Sequence, residues 1–170
     1  MRDLSFVWLE ITGKCQLTCN HCYAESGPDG GDGTMSSADW CRVIDEVAQL
    51  GGWMVQFIGG EPTLYRGLPD LVRSALTQGL EAEVFTNLVH VSSELWETFA
   101  HRGVRLATSY YSCDAAEHEA ITRCKGSHAR TRANIILETT VSGARMLAGP
   151  RLWMSRRPRY PSRPACSWLP

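Results

Sequence analysis

The strongest constraint on this chain is a rhythm. Short apolar runs alternate with helical patterns four times between Phe6 and His101–Ser109. Phe6-Val7-Trp8-Leu9-Glu10-Ile11 reads as a largely buried strand. Trp40, Val43, Ile44, Val47 and Leu50 then recur at helical spacing behind an N-cap serine, Ser36, with Asp39 three residues on. Gly51-Gly52 stops that helix. Met54–Ile58, Ala82–Thr86 and Val104–Ser109 read as further strands. Leu68, Leu71, Val72, Ala75 and Leu76 form the helical face between the second and third, and Ser93–His101 the helix between the third and fourth. Another helix is expected from Thr131 to Glu138. Four β-α units in series predict an α/β protein with a parallel sheet and outer helices. Right-handed crossovers would curl that sheet toward a partial (β/α) barrel.

Chemistry in such folds gathers at the carboxyl ends of the strands. Cys15, Glu61, Asn87 and Ser109 each fall at or just after a strand end. Cys15, Cys19 and Cys22 place three thiols within eight residues. Thiolates are the usual iron–sulfur ligands, normally four per cluster, so three would leave one iron open to a substrate or cofactor. The spacing also fits half a zinc site, with Cys19 and Cys22 as one CxxC and His21 or Cys41 as further donors. After the second strand, Gly59-Gly60-Glu61-Pro62 combines permissive glycines, a carboxylate suited to an ammonium group and a proline that fixes the exit. A tight turn with a solvated Glu61 is the plainer alternative.

The 170 residues carry a net charge of −1, which gives no bulk attraction for nucleic acid or an anionic membrane. No apolar stretch is long enough to span a bilayer, and Asp3 and Glu10 break any signal-peptide layout. The expectation is a cytoplasmic protein whose cysteines stay reduced or bind metal. Charge is uneven. Residues 139–170 hold six Arg, no Asp, Glu or Lys, and five of the eight Pro, leaving −7 on residues 1–138. Residues 1–138 are therefore expected to form the core domain. Residues 139–170 are expected to be a poorly packed tail, either a basic arm or the aberrant end of a longer gene.

Taken together, Cys-x3-Cys-x2-Cys after a first strand and Gly-Gly-Glu-Pro after a second resemble the radical S-adenosylmethionine superfamily, over roughly residues 5–138. The run Cys19-Asn20-His21-Cys22-Tyr23 resembles its peptide- and protein-modifying branch. The resemblance implies that Cys15, Cys19 and Cys22 hold three irons of a [4Fe–4S] cluster whose fourth iron binds S-adenosylmethionine. It implies that His21 lies against the adenine and that Gly59, Gly60, Glu61 and Pro62 bind the methionine amino group. Asn87 matches the family's strand-three ending, with Leu88 where glycine is common, and Ser109 matches a serine that contacts the cofactor. Tyr111 stands where the family often has Asp, and that role is not carried over. The implied activity is reductive cleavage of S-adenosylmethionine to a radical that takes hydrogen from a peptide or protein side chain, fed by flavodoxin or ferredoxin. A glycyl-radical activating enzyme and a non-catalytic metal-binding fragment are the alternatives. Complete members of the family have six β-α units, so this chain is expected to be an incomplete barrel.

Overall fold

The computed structural model describes residues 5–141 and 147–148. Strand β1 spans Phe6–Thr12, helix α1 Ser37–Gln49, β2 Met54–Gly59, α2 Leu68–Thr77, β3 Glu81–Phe85, α3 Ser93–Phe99 and β4 Val104–Thr108. Two further helices follow, α4 over Ala115–Thr122 and α5 over Ser127–Val141. The expected α/β architecture of parallel strands with outer helices is present. Residues within the sheet pair in sequence order, β1-β2-β3-β4, with every neighbour parallel. Strand order without a reversal, joined by right-handed crossovers, puts the helices on one face of the sheet. The sheet therefore has a covered face and an opposite face that those helices leave uncovered.

Local sequence explains the first helix well. The Ser36 side chain accepts from the Asp39 amide, and the Asp39 carboxylate accepts from the Ser36 amide, closing the expected capping box. Ile44 and Val47 on its inner side are buried. They join Leu9, Ile11, Val55, Phe57, Val84 and Leu106 in one core between sheet and helices. Each such fully buried side chain contributes about 1.5–3 kcal/mol. Cys41 packs at the edge of this core, as expected of a thiol on the first helix.

The opposite face is polar in its middle row. Trp8, Gln56, Glu83 and Arg105 are in register across four strands. The Gln56 amide donates to Glu83, and Arg105 pairs with Glu81 at 3.4 Å and Glu83 at 3.8 Å. Buried Glu83 is thus compensated by neighbours on adjacent strands.

Three differences from the sequence reading emerge. Helix α4 carries no strong apolar stripe and is set instead by its N-cap, Asp114, which accepts from the Glu117 amide. Helix α5 starts earlier than Thr131 and runs past Glu138. The strand–helix alternation also does not stop at Glu138, because Leu147–Ala148 forms a short strand β5 parallel to β4, against Ala107 and Thr108. The sheet thus has five strands among the described residues rather than four. Apart from that strand and the end of α5, the Arg- and Pro-rich segment lies outside the described residues. No helix among the described residues is long and apolar enough to cross a membrane.

Candidate functional site

The cysteine loop leaves β1 and folds back beside it. The Gly13 amide donates to Gly31 O at 2.7 Å, and the Cys15 amide to Gly27 O at 3.0 Å. Lys14 and Thr12 both reach Asp32, at 2.8 and 2.7 Å. On its far side the loop rests on α4, where Asn20 donates to Ile121 O and, through its side chain, to Ala120 O, both at 2.9 Å. These tethers fix both ends of the eight-residue thiol segment.

Cys15 is buried, while Cys19 and Cys22 are half-buried. Two of the three sulfurs accept backbone amides. The Leu17 amide donates to Cys15 Sγ and the Ser26 amide to Cys22 Sγ, each at 3.4 Å. Burial, then the nearby charges of Glu61, Cys19 and Cys22, push the Cys15 thiol up to about 11. Burial and then Cys22 also raise the Cys19 thiol. Burial and neighbouring charge thus disfavour the thiolates of Cys15 and Cys19 unless a cation is close by.

The Gly-Gly-Glu turn presses directly on this loop. Gly59 has φ +128°, and a Cβ there would lie 2.3 Å from Thr12 O. A Cβ on Gly60 would lie 2.2 Å from Lys14 O. The Gly60 and Glu61 amides donate to those same carbonyls, each at 2.7 Å. The glycines were expected to admit a ligand. In the structure it is the chain itself that approaches, and the two motifs are stitched backbone to backbone.

Glu61 departs most from expectation. Its carboxylate was expected to face an ammonium group, yet the residue is fully buried. Oε1 accepts from the Thr63 amide, the Thr63 hydroxyl and the Thr86 hydroxyl, at 3.1, 2.8 and 2.6 Å, and Oε2 from the Asn87 amide at 2.7 Å. Burial raises its pKa, opposed by those donors. Glu61 therefore ties the turn after β2 to the end of β3. Pro62, buried, opens the single 3-10 turn that follows.

Asn87 comes to the cysteine loop. Its side chain accepts from Gln16 at 3.1 Å and from the Val89 amide at 2.9 Å, and its Nδ2 points to Cys15 Sγ at 3.8 Å. Leu88, where glycine was the expected residue, takes φ +55° and is fully buried. A left-handed conformation costs a non-glycine residue about 1–2 kcal/mol. The turn is held by α5, where the Thr131 hydroxyl donates to Asn87 O and the Asn134 amide to Leu88 O, at 2.9 and 2.8 Å.

After β4, Ser109 is half-buried. Tyr111 meets exposed His21 edge-on at 5.0 Å and packs on His118 at 5.6 Å. Burial is the main cause that pushes the Tyr111 hydroxyl up to about 12. His118 is buried among Tyr110, Tyr111 and His128. Sequence reasoning set Tyr111 aside and did not single out Gln16. The available signal for both was position, one beside the first cysteine and one just beyond a strand end.

The donor set fits a cluster better than a single ion. Among the described residues, no three His, Cys, Asp or Glu side chains come close enough to hold one metal ion. A cluster sets each thiolate on a different iron, so the sulfurs need not converge on a point. A cleft of roughly 200 Å³, lined by Glu10, Thr12, Ser26, Asp32 and Gly59 among others, opens beside the loop. That is below the 300–1,000 Å³ of enclosing ligand sites, so these residues provide a wall rather than a closed pocket.

Comparison with known proteins agrees. A family model described as the Radical SAM superfamily matches residues 9–139. The PqqA peptide cyclase of Rhodopseudomonas palustris is 33% identical over 125 residues, covering 73% of this chain and 33% of that protein. The AdoMet-dependent heme synthase of Methanosarcina barkeri is 30% identical over 127 residues, covering 74% of this chain and 36% of that protein. Among solved structures, Streptococcus suis SuiB bound to S-adenosylmethionine superposes with a TM-score of 0.76 at 16% identity, over 86% of this chain and 34% of that one. SuiB bound to its precursor peptide SuiA also superposes at 0.76, at 17% identity, over 86% of this chain and 33% of that one. The chain spans about a third of the length of these relatives.

Proposed function

Because the chain belongs to the radical SAM superfamily, we propose that it is the cluster-binding portion of an S-adenosylmethionine-dependent radical enzyme, with Cys15, Cys19 and Cys22 each holding one iron of a [4Fe–4S] cluster. The observation that carries this reading is the loop after β1, where three thiols stand within eight residues and the Cys15 and Cys22 sulfurs accept backbone amides. When bound, the cluster supplies the electron for reductive cleavage of S-adenosylmethionine and hence a hydrogen abstraction from the substrate.

The chain's own residues would divide the remaining work. His21, exposed and steadied by Tyr111, would offer its ring to the adenine. The backbone of Gly59, Gly60 and Pro62 would form the wall on the methionine side. Glu61 would act by fixing that wall and by presenting Asn87, because its carboxylate is already occupied by four donors. Ser109, at the end of β4, would contact the cofactor. A peptide or protein substrate is supported by the peptide cyclase and by SuiB with its precursor peptide, while the heme synthase similarity supports a tetrapyrrole as the second reading. We further assign a cytoplasmic location and a flavodoxin- or ferredoxin-type electron donor. Residues 1–138 would be the core carrying this chemistry, with 139–170 as an appended segment.

Anaerobic reconstitution with iron and sulfide tests the reading. Cys15→Ala, Cys19→Ala and Cys22→Ala should each lose most bound iron, while Cys41→Ala keeps the wild-type content. Release of 5′-deoxyadenosine with a strong reductant would then establish cofactor cleavage. A wild-type chain that stays colourless and takes up zinc stoichiometrically would overturn the proposal.

A further inference from the structure

Helix α4 props the cysteine loop, yet its own footing is slight. It buries two side chains, His118 and Thr122. Thr122 meets the Ser127 hydroxyl at the start of α5, at 2.7 Å. His118 is 1% exposed and lies in an aromatic cage of Tyr110, Tyr111 and His128, with ring centroids at 5.1, 5.6 and 5.6 Å. The Tyr110 hydroxyl and His128 Nε2, 2.5 Å apart, close that cage. Inside it, His118 Nδ1 is buried without a hydrogen-bond partner. Just beyond His118 on the same helix, the Ala120 and Ile121 carbonyls accept the Asn20 side chain and amide, each at 2.9 Å.

We propose that His118 is an acid-sensitive latch: neutral, it seats α4 against the end of β4 and α5; protonated, it releases the helix and with it the Asn20 tether of the cysteine loop. As a control on the iron site this rests on the cluster reading above, whereas the latch itself does not. An imidazolium donates from both ring nitrogens. Its Nδ1–H would meet no acceptor in a place closed to water, which is costly for a charged group. The acids of its own helix are engaged elsewhere. Asp114 accepts from the Glu117 amide, Glu117 from the Ser112 hydroxyl at 2.6 Å and Glu119 from the Gly126 amide at 2.8 Å, while Arg123 closes the helix. From α5 come His128 and Arg132, whose charge is felt at Tyr110, and both oppose a further positive charge. Tyr110 and Tyr111 are neutral phenols in this range, and His21 lies beyond Tyr111. Burial and then His128 lower the His118 pKa from its ordinary 6.5, against Glu119. The seated helix therefore binds this proton less readily than the released one. Seating is complete above pH 6.5 and weakens as pH falls below it. One proton raises the open fraction by at most about tenfold per pH unit.

The experiment is amide hydrogen exchange on the metal-free full chain between about pH 7.5 and 5. Rates are read as protection factors, which removes the pH dependence of the exchange chemistry. The Asn20 amide should lose protection below pH 6.5, by up to about tenfold per pH unit, while Val84 in the central strand β3 keeps its own. His118→Phe retains a ring that cannot titrate and should flatten the Asn20 profile. His21→Gln, which removes the titrating neighbour of Asn20, should leave the slope in place. Should His118→Phe fail to fold, NMR of ring-labelled histidine in the wild-type chain decides the matter, because the His118 titration must share its midpoint with the loss at Asn20. Constant protection at Asn20, an equal loss at Val84, an unchanged slope in His118→Phe or a midpoint apart from that of His118 each overturn the latch. None of these readings involves iron, so a wild-type chain that loads no cluster overturns the cluster reading and leaves the latch standing.

Discussion

The two motif-bearing loops sit side by side and are built on opposite plans. In the turn Gly59–Pro62, the polar groups of the Glu61 carboxylate are met by the chain's own donors, and the backbone lies flush against its neighbour. The loop Cys15–Cys22 is tethered as firmly at its ends, yet burial raises the pKa of its Cys15 and Cys19 thiols, and His21 and Tyr23 stand exposed. A turn whose polar groups are satisfied internally is a scaffold. A loop whose functional groups remain at odds with their surroundings is a site awaiting a ligand. Position at a strand's carboxyl end does not separate the two; the state of the side chains does.

The largest expected effect breaks the scaffold side of the contrast. Gly60→Ala sets a Cβ 2.2 Å from the backbone oxygen of Lys14, where no flexible side chain can yield. The loss should be about 3–5 kcal/mol, at the upper end for single substitutions. Because the displaced partner is the cysteine loop, iron loading should fall with it. Chemical denaturation of the metal-free protein measures the first, and wild-type stability in that variant would remove the seam between the loops. Cys19→Ala makes the counterpart, emptying the site while leaving the metal-free fold near wild-type stability.

Alkali should act on the ligand side. Cys15 is raised from 9.0 to about 11, so the folded protein holds its proton more tightly than the unfolded chain. That contribution is fully present below pH 9 and is lost as pH rises toward 11. Two pKa units correspond to about 2–3 kcal/mol. Denaturation midpoints of the metal-free protein should fall over this window, and Cys15→Ala should flatten the fall. An equally steep decline in that variant would assign the effect elsewhere, Cys19 being the other thiol that burial raises.

Glu61→Gln sharpens the comparison most finely. The new amide can satisfy the three donors on Oε1 but turns an N–H toward the Asn87 N–H, which now has no acceptor. An unsatisfied buried donor costs on the order of 1–3 kcal/mol. The loss should appear in the metal-free protein, before any cofactor is added. Were stability unchanged and only S-adenosylmethionine affinity reduced, Glu61 would belong to the ligand side after all.

Much of this molecule was readable as a string. The four strands follow from short apolar runs, and α1 from a serine with an acid three residues later, because these signals are local and the backbone answers to its immediate neighbours. The cysteine spacing and the Gly-Gly-Glu-Pro run are legible for the same reason, as each is contiguous. Helix α4 was not readable from periodicity, since its face carries little apolar pattern and rests on a single cap. The two-residue strand β5 was hidden because so short a pairing depends on the edge that β4 presents rather than on its own composition.

What only the tertiary structure decided is which loops became neighbours. Glu61 turns inward because Thr86 and the Asn87 amide, 25 and 26 residues away, arrive at the next strand end with donors to spare. Gly59 and Gly60 must be glycines because the exit of β1 passes within a Cβ radius of them. Tyr111 meets His21 because β4 ends where the loop after β1, propped on α4, comes round to it. Residue types and spacings determined that a rim of strand ends would carry thiols, glycines and a carboxylate. Their assignment as ligand or brace was settled by non-local contacts, in which donors, acceptors and van der Waals surfaces far apart in sequence compete for the same few ångströms.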